Sequence, residues 1–151
     1  MKITEFLEPT AIIDDLTGST APEVLIEMCR PLTATTGVDS QRLAEALLAR
    51  EQLASTGVGD GLAIPHGKVP GLPGLVGAFG RSRAGIDFKA PDSKPAALFF
   101  TLFAPDDGRG LHLHALARVS RVFKRAAFRE SLLKAKDAAE IYELMQAEDV
   151  E

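Results

Sequence analysis

The longest apolar run, residues 96–103, is the feature that most restricts what this chain can fold into. It reads Ala-Ala-Leu-Phe-Phe-Thr-Leu-Phe, so odd and even positions alike are apolar apart from one threonine. Successive side chains of a strand point to opposite faces of its sheet, and a strand that is apolar on both faces must be covered on both. The run is also too short to cross a bilayer as a helix. It therefore predicts a central strand between two layers of helices.

Helix signals occur on both sides of this strand in the sequence. Residues 19–23 combine a hydroxyl cap, an early proline and an acid, and they predict a helix that runs to about residue 32. Asp39 or Ser40 caps a second helix that reaches Leu53. Two further helices are expected near the end of the chain, over residues 111–127 and 137–147.

Short strands are expected in the rest of the chain, because residues 57–80 are rich in glycine and proline and show no helical period. The extended segments predicted are residues 11–16, 62–64, 75–79 and an edge strand at 86–88. Helices, then strands, then helices around one doubly buried strand predict a three-layer α/β domain. With 151 residues, the chain fits a single domain over residues 1–151.

Charge and cysteine content narrow the functional class. A net charge of −4 argues against a general nucleic-acid binder. The N-terminus shows no long apolar stretch, so no signal peptide and no membrane insertion are expected. The one cysteine, Cys29, lies in an apolar run and is expected as a small buried residue. A single cysteine agrees with a reducing compartment, and a cytoplasmic location is predicted.

His66 is the first of three candidate residues for chemistry. It lies between Pro65, which fixes the backbone, and Gly67, which carries no side chain. This setting predicts a rigidly held histidine that is open to a large partner, although a surface loop histidine without a role is the alternative. No zinc-ligand spacing, nucleophile elbow or Walker A loop is present, so no metal and no cofactor is expected.

The other two histidines separate by helical geometry. If a helix starts near Leu111, one apolar face holds His112, Leu116, Val119, Phe123 and Ala127. His114 falls instead on a solvated basic face with Arg118, Arg121 and Arg125. His112 is therefore expected to point inward, either as a satisfied core histidine or as a site residue.

Arg50 lies on the apolar stripe of the second helix with Leu43 and Leu47. An arginine there needs an anionic partner or an escape to solvent, and its planar fork suits a bidentate anion. The hydroxyls of Ser55 and Thr56 follow closely and could donate to an anion, or could simply form a turn. An open histidine, an inward histidine, an inward arginine and a helix N-terminus after residues 105–110 describe a place for a phosphoryl group on imidazole.

At these residues the chain resembles the enzyme IIA proteins of the bacterial phosphotransferase system, of the fructose/mannitol class. The matching segments are residues 50–67 and the Leu-His-Leu-His-Ala-Leu of residues 111–116, and the likeness covers nearly the whole chain. The resemblance implies a mixed sheet of about five strands with helices on both faces. It also implies a phosphorylated His66, with His112 and Arg50 at the site. The donor implied is an HPr- or NPr-like carrier protein charged from phosphoenolpyruvate.

Within that class, residues 55–68 look most like the free-standing nitrogen-regulatory branch. Asp60 and the glycine- and proline-rich residues 69–74 depart from its pattern. The expected activity is protein-to-protein phosphoryl transfer: His66 is the nucleophile, His112 and Arg50 stabilise the phosphoryl oxygens, and Ser55 and Thr56 add hydrogen bonds. One alternative passes the phosphoryl group to a IIB domain for sugar uptake. Another is a regulatory binding module that is not phosphorylated.

Overall fold

The computed structural model describes residues 1–105 and 110–149, in which a short 3-10 turn (Ile3–Glu5) precedes six strands and six helices. In chain order these are β1 (Leu7–Ile13), α1 (Ala21–Cys29), α2 (Leu32–Thr36), α3 (Ser40–Leu53), β2 (Gly57–Gly59), β3 (Leu62–Ala63), β4 (His66–Lys68), β5 (Val76–Ile86), β6 (Ala96–Ala104), α4 (Leu111–Phe123), α5 (Ala126–Lys134) and α6 (Ala138–Glu148). No helix within the described ranges has the length and apolar character needed to span a membrane.

The strands form one mixed sheet in the order β1-β5-β6-β3-β2, and β4 also pairs with β6. β1 runs parallel to β5, β5 runs antiparallel to β6, and both β3 and β4 run parallel to β6. β2 and β3 form an antiparallel pair. The prediction of a three-layer α/β domain around a mixed sheet of about five strands is confirmed.

The apolar run occupies β6, the middle of the sheet, and both of its faces are covered. Phe100 contacts Phe123 of α4, with ring centroids 5.8 Å apart. The neighbouring Phe99 points the other way and pairs in register with Gly80, where an added Cβ would collide with the sulfur of Met28 in α1. We call these two sides of the sheet the α4 face and the α1 face.

The predicted helix starts are confirmed by their caps. Thr20 and Glu23 form a capping box at α1, in which each side chain accepts from the backbone N–H of the other. The Asp39 side chain accepts from the N–H of Gln41 at the start of α3. The Cys29 thiol is fully buried at the end of α1, as expected, and burial raises its pKa to about 12.

The helix predicted over residues 111–127 is wrong in extent, because α4 ends at Phe123 and a separate α5 follows. The Arg129 side chain caps the end of α4 at this break: its Nη1 donates to the carbonyls of both Phe123 and Lys124 at 2.8 Å. These carbonyls at the helix end would otherwise need other partners. The chain therefore closes with three helices rather than the two predicted.

The edge strand predicted at residues 86–88 is also wrong. Ile86 is the last residue of β5, and the Asp87 side chain accepts from the N–H of Lys89 at 2.9 Å in a local turn. Lys89 has a φ of 51°, which a strand does not accommodate. The first strand differs less, since β1 spans Leu7–Ile13 where residues 11–16 were predicted.

A buried carboxylate ties both ends of the chain to α4. Asp149 is only 2% exposed, and it accepts from the backbone N–H of Ile3 and from Nε of Arg118 at 2.7 Å. The expectation that Arg118 is solvated is wrong, because its side chain is 13% exposed and pairs with Asp149. This ion pair holds the helix that carries His112 against the two termini.

Arg81 is a second buried cation, located in β5 and fully shielded from solvent. Its Nη1 donates to the carbonyls of Leu132 and Ala135, at 2.7 and 2.6 Å, and its Nε donates to the carbonyl of Asp14 at 2.9 Å. Desolvation lowers the pKa of this guanidinium. Because it caps the C-terminal end of α5, Arg81 fastens that helix to the sheet.

Candidate functional site

β4 positions His66 beside the centre of the sheet. His66 pairs in register with Leu102 of β6, and the carbonyl of Pro65 accepts from the N–H of Leu102 at 2.9 Å. Leu102 lies two residues after Phe100 and therefore shares the α4 face. The His66 ring projects from this same face and is partly exposed.

A backbone carbonyl fixes the orientation of the His66 ring. Nδ1 of His66 lies 2.8 Å from the carbonyl oxygen of Ile64. A carbonyl oxygen can only accept a hydrogen bond, so we assign the ring proton to Nδ1. In the neutral ring this leaves the lone pair on Nε2, which is the nitrogen free to act as a nucleophile.

His112 meets His66 from the start of α4. This helix begins at Leu111 after Gly110, which has a φ of 84°, whereas residues 106–109 of the predicted 105–110 loop lie outside the described residues. The two imidazole rings have centroids 5.4 Å apart and planes at 73°. The inward direction predicted for His112 is confirmed, and His114 is exposed as expected.

The environment of His112 keeps its imidazole neutral. Burial, followed by the charges of His66 and Lys68, lowers the His112 pKa to about 4. Its Nε2 is buried and has no hydrogen-bond partner among the described residues. An unpaired buried polar atom is costly, so this nitrogen is available for a group bound next to His66.

Gly67 was predicted to leave His66 open to a partner, but in the structure its missing side chain makes room for α3. A Cβ at Gly67 would lie 3.3 Å from Cβ of Ala46 and 3.4 Å from its carbonyl oxygen, both in α3. Gly67 pairs with Phe103 and therefore faces away from His66, toward the α1 face. The missing side chain lets α3 pack on β4, rather than opening His66 to a partner.

Arg50 lies near the level of His66 but on the other side of the strand. Nη2 of Arg42 donates to the carbonyl of Pro70 at 2.7 Å, and Ala46 contacts Gly67, so α3 runs antiparallel to this part of the chain. Arg50, one turn beyond Ala46, is consequently located toward the His66 end.

Nη1 of Arg50 donates to the carbonyl of Ala54 at 2.9 Å, and Arg50 forms no hydrogen bond to His66. Its role at the site stays a prediction.

Ser55 and Thr56 hold the turn between α3 and β2. The Ser55 hydroxyl donates to the carbonyl of Phe88 and accepts from the N–H of Gly57 at 3.0 Å. The N–H and hydroxyl of Thr56 both donate to the Glu51 carboxylate, at 2.8 and 2.5 Å, and Thr56 is only 5% exposed. Phosphate binding by these two hydroxyls stays a prediction.

Sequence reasoning missed Lys68, the last residue of β4. It lies two residues after His66 and therefore on the same face of the strand. Its side chain is exposed, and its charge is one of the causes that lower the His112 pKa. The period-two alternation of a strand through His66 is the pattern that points to it.

The surface around the two histidines is open and partly apolar. Leu111 and Leu113 flank His112 and are 39% and 73% exposed. None of the five main cavities in the described part of the chain is lined by His66 or His112. Across residues 1–105 and 110–149, no three metal-ligating side chains come close enough to hold an ion. The arrangement suits a protein partner better than an enclosed small molecule.

Residues 5–148 match the family described as "Phosphoenolpyruvate-dependent sugar phosphotransferase system, EIIA 2". The chain therefore belongs to this family, the type 2 enzyme IIA phosphocarriers of the fructose/mannitol class. Its relatives include a nitrogen regulatory protein from Bradyrhizobium diazoefficiens, 37% identical over 145 residues, which cover 96% of this chain and 95% of that protein.

Two further relatives point to different branches of the family. The crystal structure of nitrogen regulatory protein IIA-Ntr from Neisseria meningitidis superposes with a TM-score of 0.88 at 35% identity, covering 95% of this chain and 98% of that one. The fructose-specific EIIABC component of Bacillus subtilis is 36% identical over 150 residues. That alignment covers 99% of this chain but only 24% of the longer protein.

Proposed function

We propose that this chain is a cytoplasmic phosphocarrier that accepts a phosphoryl group on Nε2 of His66 from an HPr- or NPr-like protein and serves a nitrogen-regulatory phosphotransferase system. The observation that carries this proposal is the bond from Nδ1 of His66 to the carbonyl of Ile64. It holds the ring in the tautomer whose Nε2 is the nucleophile, next to a neutral His112.

The proposed reaction is a phosphoryl exchange between two imidazoles. The lone pair on Nε2 of His66 attacks the phosphorus atom carried by the donor's histidine, and a new P–N bond forms as the donor's P–N bond breaks. The released electron pair returns to the donor's ring nitrogen, and that ring leaves as a neutral imidazole because its other nitrogen carries a proton. The proton on Nδ1 stays in its bond to the Ile64 carbonyl, so no general base is required. Such a transfer depends on in-line positioning and on stabilisation of the spread negative charge.

Stabilisation of that charge is assigned to the neighbours of His66. His112 is neutral near pH 7 before transfer, and its buried Nε2, when it carries the ring proton, is proposed to donate to a phosphoryl oxygen. Arg50 is proposed to reach the group from its own side of β4. Ser55 and Thr56 are proposed as weaker contributors, because their hydroxyl protons already bond Phe88 and Glu51.

The open surface supports a macromolecular donor. Leu111 and Leu113 expose apolar side chains beside His112, where a carrier protein can bury them on docking. The regulatory branch is supported by identities of 37% and 35% to nitrogen regulatory proteins that are matched over nearly their full lengths. Transfer to a IIB domain is the second candidate, favoured by the 36% identity to part of a fructose-specific EIIABC protein.

The test is incubation with phosphoenolpyruvate and the host's phosphotransferase carrier proteins, followed by mass spectrometry of the intact chain. We expect one acid-labile phosphoryl group on the parent protein and none on His66→Ala. His112→Ala should be labelled much more slowly, whereas His114→Ala should match the parent because His114 is exposed and outside the ring pair. Full labelling of His66→Ala contradicts the assignment.

A second measurement separates the two branches. The phosphorylated protein is mixed with a purified fructose-type IIB domain, and loss of label is followed over time. Transfer within the turnover time of sugar uptake supports the transport alternative, whereas a stable label supports the regulatory one. A chain that takes up no phosphoryl group at all is instead the non-phosphorylated binding module.

A further inference from the structure

The backbone of β4 fixes where the Lys68 side chain starts. Lys68 pairs in register with Ala104, and the following N–H, of Val69, donates to the carbonyl of Ala104 at 2.9 Å. On the opposite side of the strand, Gly67 is held close against Ala46. A rigid strand with alternating faces places the Cα atoms of His66 and Lys68 about 6.6 Å apart on one side, at roughly 3.3 Å per residue. A flexible four-carbon stem brings an ammonium group within reach of a neighbour at that spacing.

The Lys68 ammonium group has no bonding partner in the described part of the chain. Its side chain is exposed, and it has no ion pair or hydrogen bond with any residue that the structure describes. Its charge nevertheless acts on the imidazole of His112, which contacts His66 directly. The ammonium group is therefore exposed to solvent, yet near enough to the pair of histidines for its charge to act on His112.

A phosphoryl group on His66 needs positive charge on this face. It brings about two negative charges. Before transfer, His112 supplies no cation, since its pKa of about 4 keeps it neutral near pH 7 in the unphosphorylated protein. Arg50 starts from the helix on the opposite face of β4, and its Nη1 is bonded to Ala54. Lys68 is a cation on the same face as His66.

We infer that Lys68 is a further phosphoryl-binding residue of this site, whose ammonium group contacts the phosphoryl oxygens on His66. The inference rests on the proposed function and adds to it a residue that the family resemblance does not imply. Lys68 would stabilise both the transferring group and the phosphorylated protein. It would also favour donors whose phosphoryl group arrives as a dianion.

The first test compares Lys68→Gln with the parent and with Lys136→Gln, which removes the same charge from an exposed turn before α6. The phosphorus-31 shift of each phosphorylated protein is followed against pH. We expect Lys68→Gln to raise the titration midpoint of the phosphoryl group and to slow phosphorylation roughly tenfold, a modest loss because the cation is exposed. Lys136→Gln should match the parent. An unchanged midpoint in Lys68→Gln overturns the inference.

A second donor separates phosphoryl binding from partner docking. Phosphoramidate has no protein surface, so a docking role for Lys68 would leave its reaction unaffected. Slower labelling of Lys68→Gln from both phosphoramidate and the carrier protein supports the inference. Slower labelling from the carrier protein alone assigns Lys68 to docking and overturns it.

A third readout needs no phosphorylation. The His112 ring of the unmodified protein is titrated by NMR, and Lys68→Gln should move its midpoint upward because a nearby positive charge is removed. An unmoved His112 midpoint places the ammonium group away from the site and overturns the inference. A parent protein that takes up no label on His66 refutes the proposed function itself. Normal labelling of parent and Lys68→Gln alike refutes only the role of Lys68.

Discussion

Acid should destabilise this protein through His112, and replacing His112 with glutamine should remove that effect. The folded-state pKa of His112 is about 4, below the ordinary value of 6.5. As the pH falls, the unfolded chain therefore binds a proton before the folded chain does, and the equilibrium shifts toward unfolding. The penalty is absent above about pH 7, grows as the pH drops below 6.5, and is nearly complete at pH 4.

The size of this effect follows from the pKa difference. The difference between a pKa of 6.5 and one of about 4, at about 1.36 kcal/mol for each pH unit, corresponds to about 3.4 kcal/mol. This is an upper bound, because the side chain is only partly buried and water screens its charge. Halving it for screening gives about 1.7 kcal/mol of stability lost between pH 7.5 and pH 4.

Urea unfolding at a series of pH values measures this loss. The difference in unfolding free energy between the parent and His112→Gln should change by about 1.7 kcal/mol over that range. Contributions from other titrating groups are common to both proteins and cancel in the comparison. His114→Gln is the matched control, since His114 is exposed and its variant should follow the parent. Parallel pH curves for the parent and His112→Gln would refute the reasoning.

Three further substitutions test other contacts. Arg50→Lys should keep a melting temperature near that of the parent, because lysine can also bond the Ala54 carbonyl. Labelling measured by quenched flow should slow about a hundredfold if the guanidinium binds the phosphoryl group. A normal rate would show that Arg50 does not act at the site. Gly67→Ala should lower the free energy of unfolding in urea by about 1–2 kcal/mol, because the new methyl group lies 3.3 Å from Cβ of Ala46. Adding Ala46→Gly to the same chain should recover part of that loss. If the costs of the two substitutions simply add, this contact is contradicted. Asp149→Asn should lower stability by about 2 kcal/mol, because the buried carboxylate accepts from Ile3 and Arg118, and an unchanged urea midpoint would argue against it.

The features that could be predicted from the sequence are those determined by residues close together along the chain. The capping box of Thr20 and Glu23 lies within four residues, and it marks the start of α1. The apolar run that forms β6 predicts burial on both faces, because its odd and even positions are both apolar. Helical geometry alone also directed His112 inward and His114 outward.

The features that were missed depend on contacts across the fold. At the break between α4 and α5, the Arg129 side chain bonds carbonyls five and six residues earlier, and no glycine or proline marks that point. The ion pair of Arg118 with Asp149 joins residues 31 positions apart. Gly67 was interpreted as leaving His66 open to a partner, because the sequence does not show that α3 packs against it.

Some residues of the candidate site could be predicted from the sequence, and others could not. His66 and its ring contact with His112 could be anticipated, from local setting, helix geometry and family resemblance together. Lys68 was overlooked because β4 is only three residues long and was not predicted as a strand. The acceptor for Nδ1 of His66 could not be found by any search of side chains, since it is a main-chain carbonyl.

That carbonyl makes the tautomer of His66 resistant to mutation. If an aspartate side chain held Nδ1, a single codon change could release the ring. Here the acceptor is the backbone of Ile64, and every substitution at that position retains a carbonyl oxygen. Residue 64 can therefore vary for the sake of core packing without altering which ring nitrogen carries the proton. Only changes that move the backbone, such as an insertion or deletion between Ile64 and His66, would separate the ring from its acceptor.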